Sequence, residues 1–76
     1  MFEKSVLGER LLELRKSRNI SQQKLAETLG ISYHAICKIE NKQRGASIEV
    51  MYSIADFFEV SIDFIVGRTN KLEVNK

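Results

Sequence analysis

The sequence has no proline and no tryptophan, and its 76 residues include only one cysteine, one histidine and four glycines. The single cysteine excludes an internal disulfide, and no basic and apolar leader precedes residue 10, so we expect a cytoplasmic protein. No apolar run approaches the roughly 20 residues that a membrane-spanning helix needs, so we expect no membrane association. Scarce turn residues and the lack of a long alternating pattern favour an all-α domain.

Charge is unevenly distributed along the chain, although the formal net charge is only +2. Residues 15–44 carry seven lysines or arginines against two acidic residues, whereas residues 45–67 carry four acidic residues and no basic one. A basic segment is often only a solvated surface. Here the segment also contains a helix pair that is typical of DNA-binding proteins, which favours a partner that carries phosphates.

Residues 22–41 have the pattern of two short helices joined by a tight turn. Ser21 is a suitable N-cap for the first helix, and Gly30 at its end tolerates the left-handed backbone conformation. Ser32, only two residues later, is a suitable N-cap for the second helix. This arrangement is a helix-turn-helix, whose second helix lies in a groove of DNA.

The second helix of this pair has two chemically different faces when its residues are placed at intervals of about 100°. Side chains that read base edges and phosphates occupy the outer face, so we expect that face to contact DNA. The inner face is apolar apart from one carboxylate and consists of Ala35, Ile36, Ile39 and Glu40. The outer face consists of Tyr33, His34, Cys37, Lys38 and Asn41.

A further helix is expected before this pair, over residues 6–18 and after a short frayed start. Leu7, Leu11 and Leu14 form one stripe along it at helical spacing. Leu12 lies off the stripe and is either a singly exposed leucine or a contact to a neighbouring helix or subunit.

Two more helices are expected after the pair, the fourth following Ser47 and a short fifth over residues 62–66 that stops at Gly67. The sequence thus predicts an all-α, compact five-helix bundle with a helix-turn-helix, formed as one domain by residues 1–67. Residues 68–76 are expected to be a short polar C-terminal tail. The predicted inner stripe of the fourth helix consists of Ile48, Met51, Ile54, Ala55 and Phe58.

Three sequence blocks resemble the phage repressor and Cro family of helix-turn-helix DNA-binding domains. The blocks are LGERLLELRKSRNISQQKLAETLGISYHAICKIEN, SIEVMYSIADFF and VSIDFIVGRT, and they extend over residues 7–69. The resemblance implies a lambda repressor-like fold and a transcriptional regulator that acts as a repressor. It also implies a homodimer that binds a palindromic or near-palindromic operator in double-stranded DNA.

The resemblance assigns DNA contacts to individual residues. Tyr33, His34 and Lys38 stand at the positions that contact bases in this family. Gln22 stands at the position that grips a phosphate and braces the recognition helix. Each of these residues also has a plainer interpretation as an ordinary exposed side chain. The phosphate-gripping turn that follows the recognition helix corresponds to Asn41, Lys42 and Arg44.

This turn departs from the family pattern at two positions. Lys42 stands where the family usually has glycine, and Ala46 stands where it usually has proline. We expect Gly45 to adopt the left-handed conformation in place of the missing glycine. Arg44 is a candidate for a narrow minor groove, because A·T-rich segments attract cations there.

Two further assignments from the resemblance concern the fold and the assembly. Arg15 and Glu40 match an ion pair between the first and third helices, which explains the carboxylate on the inner face, although a backbone donor is an alternative partner. Phe57 and Phe64 lie away from the inner stripes of their helices. Because the last two helices commonly form the dimer contact in this family, we expect both phenylalanines at a dimer interface, with partial burial in the core as the alternative.

Other functions have less support in the sequence. His34 has no second histidine or cysteine cluster at ligand spacing, so we expect no metal site, and Cys37 is expected to pack rather than to sense redox state. Without a phosphate-binding glycine loop or a nucleophile with its base, we predict no enzyme, no cofactor and no small-molecule effector. The competing hypothesis is an antitoxin-like interaction protein in which DNA binding is secondary.

Overall fold

A computed structural model describes residues 4–67, which contain five α-helices and no strand. The all-α, five-helix prediction is confirmed, and each helix begins and ends within two residues of the expected boundaries. No helix in the described range is long and apolar enough to span a membrane. The predicted tail over residues 68–76 and the first three residues lie outside this range. In chain order the helices are α1 Lys4–Ser17, α2 Gln22–Leu29, α3 Tyr33–Glu40, α4 Ile48–Phe58 and α5 Ile62–Ile65.

Serine side chains cap the starts of the last four helices. In each case the serine oxygen accepts a hydrogen bond from the backbone N–H three residues later, which satisfies a donor that has no partner inside the helix. The predicted N-caps are therefore confirmed. The four capping residues are Ser21, Ser32, Ser47 and Ser61.

Left-handed residues end two helices and the turn after α1. Gly30 adopts this conformation as predicted, with a φ of 73°, and Asn19, a residue type that tolerates it, has a φ of 56°. Glu59 ends α4 with a φ of 58°, which the sequence did not indicate. Arg18, the first residue after α1, supports this helix end: its Nη1 and Nη2 atoms donate to the carbonyls of Phe57 and Phe58 at 3.0 and 2.9 Å.

The core lies where all five helices meet, and the leucine stripe of α1 contributes to it. Leu7 and Leu11 are completely buried, Leu14 packs against the core at its edge, and Leu12 is half-buried. The largest fully buried side chains are Leu7, Leu11, Leu25, Ile36, Ile39, Ile54 and Ile65.

The prediction for the inner stripe of α4 was wrong at Ile48, whose side chain is 54% exposed. Ile48 is the first residue of the helix and lies beyond the edge of the core. Val50 packs against the core instead, and with Ile54 and Phe58 it forms a stripe at four-residue spacing. Ile54, Ala55 and Phe58 are buried as predicted, and Ile48 lies on the outer surface of the helix.

Helix α1 approaches α3 closely at Gly8. A Cβ atom at this position would lie 2.4 Å from the carbonyl oxygen of Ile39 and 3.3 Å from that of Glu40. Only a residue without a side chain therefore permits this contact between α1 and the end of α3. The glycine therefore sets how closely α3 packs against α1.

Candidate nucleic-acid interface

Helix α3 presents the predicted outer face to the surface. Tyr33 is 48% exposed, and His34, Lys38 and Asn41 are exposed as well. The Tyr33 and His34 rings meet edge to face, with their centroids 6.0 Å apart. Within this group only Cys37 is half-buried. The structure thus places aromatic, imidazole, ammonium and amide groups on one accessible strip about two turns long.

The inner face of α3 is attached to α1 and α2 by a buried polar network. Arg15 Nε and Nη2 donate to Glu40 Oε2 and Oε1 at 2.7 and 3.1 Å, so the expected ion pair is present and bidentate. Gln22 Nε2 donates to Glu40 Oε1 at 2.9 Å. Glu40 is only 8% exposed, and these donors supply the partners that a buried carboxylate requires. The network holds α3 in a fixed orientation against the bundle.

The network reaches the outer face through Cys37. Its Sγ atom donates to Gln22 Oε1 at 3.6 Å. The neighbouring Cys37 side chain, with a smaller contribution from desolvation, raises the pKa of Tyr33 above its ordinary value of 10.0. The Tyr33 hydroxyl therefore stays protonated at neutral pH.

The turn after α3 has a different shape from the one expected. Lys42, not Gly45, adopts the left-handed conformation, with a φ of 65°. Lys42 thus adopts the left-handed conformation at the position where the family usually has glycine, and Gly45 does not take over this role. Its Nζ atom lies 3.2 Å from Oε2 of Glu9 on α1, and both side chains are about half exposed. The exposed Arg44 donates from Nε to the carbonyl of Gly45 at 3.3 Å.

Part of the positive charge in residues 15–44 has a structural role. Arg15 is occupied by Glu40, and its Nη1 also donates to the carbonyl of Ile20 at 2.8 Å. Arg18 binds the carboxyl end of α4 and lies over two aromatic rings there. The charge count therefore overstated the cations available to phosphates. The exposed lysines of α3 and of the following turn are better candidates.

The two phenylalanines assigned to a dimer interface have different environments. Phe64 is 8% exposed, and the Arg10 guanidinium covers its ring at 4.0 Å from the centroid. Burial in the core, the alternative interpretation, therefore describes Phe64 in this chain. Phe57 is half-buried and meets Phe58 edge to face at 4.9 Å.

Helices α4 and α5 carry exposed apolar groups that the sequence analysis did not select. Ile48 and Tyr52, one turn apart, are 54% and 56% exposed. An open pocket of about 280 Å³ lies beside Tyr52, at the junction of the two helices. Its lining is formed by Tyr52, Ala55, Asp56, Val60, Ser61, Ile62 and Asp63. This surface is a better candidate for a protein contact than Phe64.

Sequence reasoning missed Gly8, Glu9 and Arg18 at the site and its support. An isolated glycine within a helical pattern is a signal for close packing, so Gly8 had a detectable signature. The contacts of Glu9 and Arg18 join positions 33 or more residues apart, and no local pattern indicates them. No group of three or more potential metal ligands occurs within residues 4–67.

Comparison with known proteins identifies this architecture. A sequence profile described as a helix-turn-helix domain matches residues 8–70. The chain belongs to this helix-turn-helix family. Most of the relatives found are transcriptional regulators, and they include a phage repressor, which confirms the resemblance found in the sequence.

Two relatives show the extent of the similarity. The chain is 38% identical over 60 residues to the transcriptional regulator AnsR of Bacillus subtilis, covering 79% of this chain and 52% of AnsR. It is 38% identical over 62 residues to the cryptic phage CTXphi transcriptional repressor RstR of Vibrio cholerae, covering 82% of this chain and 55% of RstR. The chain thus spans about half the length of each relative.

A crystal structure of a protein of similar length matches the fold. The restriction-modification controller protein C.AhdI from Aeromonas hydrophila superposes with a TM-score of 0.74 at 26% sequence identity. The match covers 82% of this chain and 94% of that chain. A comparable bundle of helices therefore accounts for nearly all of C.AhdI.

Proposed function

We propose that this protein is a repressor that binds a palindromic or near-palindromic operator as a homodimer and acts by occupying it. The observation that supports this most is the exposed polar strip of α3, held rigidly from behind by Arg15, Glu40 and Gln22. Rigid presentation reduces the ordering cost of binding. A phage repressor among the relatives is consistent with this role. DNA as the partner is consistent with a cytoplasmic location.

Base recognition and backbone binding have separate residues in this proposal. Tyr33, His34 and Lys38 lie on the exposed strip of α3 and contact base edges in the major groove. Phosphate contacts come from the start of α2 and from the turn after α3. In the sequence, these two segments lie on either side of the exposed strip. These contacts are assigned to Gln22, Asn41, Lys42 and Arg44.

Dimerisation is assigned to the surface formed by α4 and α5. Tyr52 and Ile48 are exposed apolar groups there, and the half-buried Phe57 remains a candidate at its margin. Two copies related by a two-fold axis would place their recognition helices one DNA turn apart, about 34 Å. The half-sites of the operator are then separated by about 10 base pairs from centre to centre.

Selection of bound sites from random DNA, followed by footprinting of the enriched site, tests the proposal. We expect a symmetric site with half-sites at the stated spacing, and binding that weakens steeply with salt because phosphate contacts release counterions. Failure to enrich any sequence, or binding that does not depend on salt, would contradict the proposal.

Two lysine variants separate the two classes of contact. Lys38→Ala is expected to weaken the preference for a particular base at one position of the operator. The free-energy difference between the preferred base and the others should fall by about 1–3 kcal/mol. Lys42→Ala is expected to weaken all sequences about equally and to reduce the salt slope by about 1. Titrations of matched and mismatched sites at several salt concentrations measure both effects. Identical behaviour of the two variants would contradict the division of roles.

An antitoxin-like function is the second candidate, because the relatives include the antitoxin PezA of Streptococcus pneumoniae. The chain is 31% identical to PezA over 67 residues, covering 88% of this chain and 42% of PezA. The exposed apolar surface of α4 would then bind a different protein. Isolation of the protein from its native cells at one-to-one stoichiometry with a second polypeptide would favour this function.

A further inference from the structure

The pocket at the junction of α4 and α5 has an apolar floor and an acidic rim. Ala55, which is buried, and Ile62, which is half-buried, belong to the floor. Asp56 and Asp63 line the rim, and both are exposed. Neither carboxylate forms an ion pair within residues 4–67. The pocket therefore suits a segment that carries an apolar side chain next to a cationic one.

The helices around the pocket supply no cation to this rim. Residues 45–67 contain four acidic residues and no lysine or arginine. The two arginines that contact α4 and α5 from outside have other partners. Arg18 donates to carbonyls at the end of α4, and Arg10 donates to the Phe64 carbonyl and covers its ring. A basic occupant would thus meet two carboxylates that have no cation of their own.

The segment that follows Gly67 in the sequence has the matching composition. Residues 68–76, RTNKLEVNK, lie outside the described range and carry three basic residues against one acidic residue. Leu72 directly follows Lys71, and it is only five residues from Gly67, a span of at most about 18 Å. Asp63, on the pocket rim, precedes Gly67 by four residues. The segment is therefore long enough to reach the pocket of its own chain.

We propose that residues 68–76 dock in the α4–α5 pocket of their own chain, with Leu72 on the apolar floor and the Lys71 ammonium beside the two carboxylates of the rim. A tether this short gives the segment an effective concentration on the order of millimolar, which favours its own pocket over that of a second copy. The leucine supplies most of the binding, because exposed ion pairs contribute little. The charges select this segment over an acidic one.

Docking also changes the surface proposed for dimerisation, and this consequence alone rests on the proposed dimer. Two copies that meet through α4 and α5 bring together the acidic residues of both 45–67 segments, so like charges repel. A docked segment with an excess of two basic residues reduces that repulsion. Ile48 does not line the pocket, and it remains exposed for contact with the second copy.

Nuclear Overhauser effects between methyl groups in the uniformly ¹³C-labelled full chain test the docking. We expect contacts from the Leu72 methyl groups to those of Ala55 and Ile62. An equimolar mixture of labelled and unlabelled chains, recorded with an isotope filter, detects only contacts between different chains. In that mixture the same contacts should be absent.

Variants in the segment separate its apolar contribution from its charge. Leu72→Ser should shift the Ala55 and Ile62 methyl resonances away from their wild-type positions, whereas Asn75→Ser should leave them unchanged. Lys71→Gln should weaken the dimer by about 1.5- to 5-fold at low salt, the range for one exposed ion pair, with less effect at about 1 M salt. Lys76→Gln makes the same change in net charge and should have a smaller effect. Sedimentation equilibrium measures the dissociation constants, and circular dichroism verifies that each variant is folded.

Two results would overturn the inference. One is the absence of contacts between Leu72 and the pocket methyl groups in the uniformly labelled chain. The other is the appearance of those contacts in the mixed sample, which would assign the segment to the pocket of a second copy. A wild type that is monomeric but shows the contacts within one chain would support the docking and contradict the proposed dimer.

Discussion

Lys42 occupies a backbone conformation that glycine adopts more readily than lysine, with a φ of 65°. We expect Lys42→Gly to stabilise the fold by about 1 kcal/mol, because the left-handed conformation is strained for a residue with a Cβ atom. The same change should weaken DNA binding, since the ammonium group is lost. Urea unfolding and operator titration measure these two effects of opposite sign.

Lys42→Ala is the matched control for this variant. It removes the ammonium group but keeps the Cβ atom, so it should weaken binding as much as Lys42→Gly without the gain in stability. Equal stability of the alanine and glycine variants would show that the turn is not strained.

Glu9 lies against Lys42, and its carboxylate competes with phosphates for the ammonium group. We expect Glu9→Gln to raise the affinity for all DNA sequences by about 1.5- to 5-fold, the range for an exposed ion pair. Glu13→Gln makes the same change in net charge on the same helix, and Glu13 has no ion pair within residues 4–67. The difference in DNA affinity between the two variants measures the effect of the Glu9–Lys42 ion pair. In a Lys42→Ala background this difference in affinity should disappear. If it persisted, Glu9 would not be competing with phosphates for Lys42.

At the scale of the helices, the contact of α1 with α3 depends on Gly8. Gly8→Ala improves helix propensity by about 1 kcal/mol, yet its Cβ would overlap the Ile39 carbonyl and force the helices apart. We expect a net destabilisation of about 1–3 kcal/mol in urea unfolding, the usual cost of overpacking. Lys16→Ala, at an exposed position of the same helix, should change stability by less than about 0.5 kcal/mol. A stabilised Gly8→Ala protein would contradict the close approach.

Local signals predicted the helices well because caps and turns act over a few residues. Ser32 and Gly30 indicated the start of one helix and the end of another from neighbouring atoms alone. Ile48 was misplaced because a helical pattern does not show how far along the helix the core extends. A helical wheel assigns residues to the faces of a helix, but it does not show which face packs against the core.

Long-range polar contacts were predictable only where a family resemblance supplied them. The resemblance indicated the pair of Arg15 with Glu40, although 25 residues separate them. It gave no indication of the contact of Arg18 with the end of α4, which joins residues 39 and 40 positions apart. Arginines that bind carbonyls and arginines that bind phosphates have the same sequence signature, so charge density alone exaggerated the DNA-binding surface.

At the scale of the whole molecule, the surfaces proposed for DNA binding and for dimerisation differ in charge. The four acidic residues of residues 45–67 belong to the part of the chain that forms the surface of α4 and α5. We expect Tyr52→Glu to prevent dimerisation, because it adds a charge to an exposed apolar group within this acidic segment. Analytical ultracentrifugation should show a monomer with an unchanged melting temperature.

Tyr52→Phe is the control, since it keeps the apolar ring and should remain dimeric. The monomeric variant is expected to lose affinity for a complete operator but to bind an isolated half-site as the wild-type monomer does. A Tyr52→Glu protein that remains dimeric would exclude Tyr52 from the dimer interface.

The two faces of α3 have a consequence for how the protein can diverge. His34 and Lys38 are exposed, and exposed substitutions usually change stability by less than about 0.5 kcal/mol. The residues that hold the helix in place lie on its other side. Duplicated copies of such a gene can therefore acquire new operators by mutation at the outer positions while inheriting the folded scaffold unchanged.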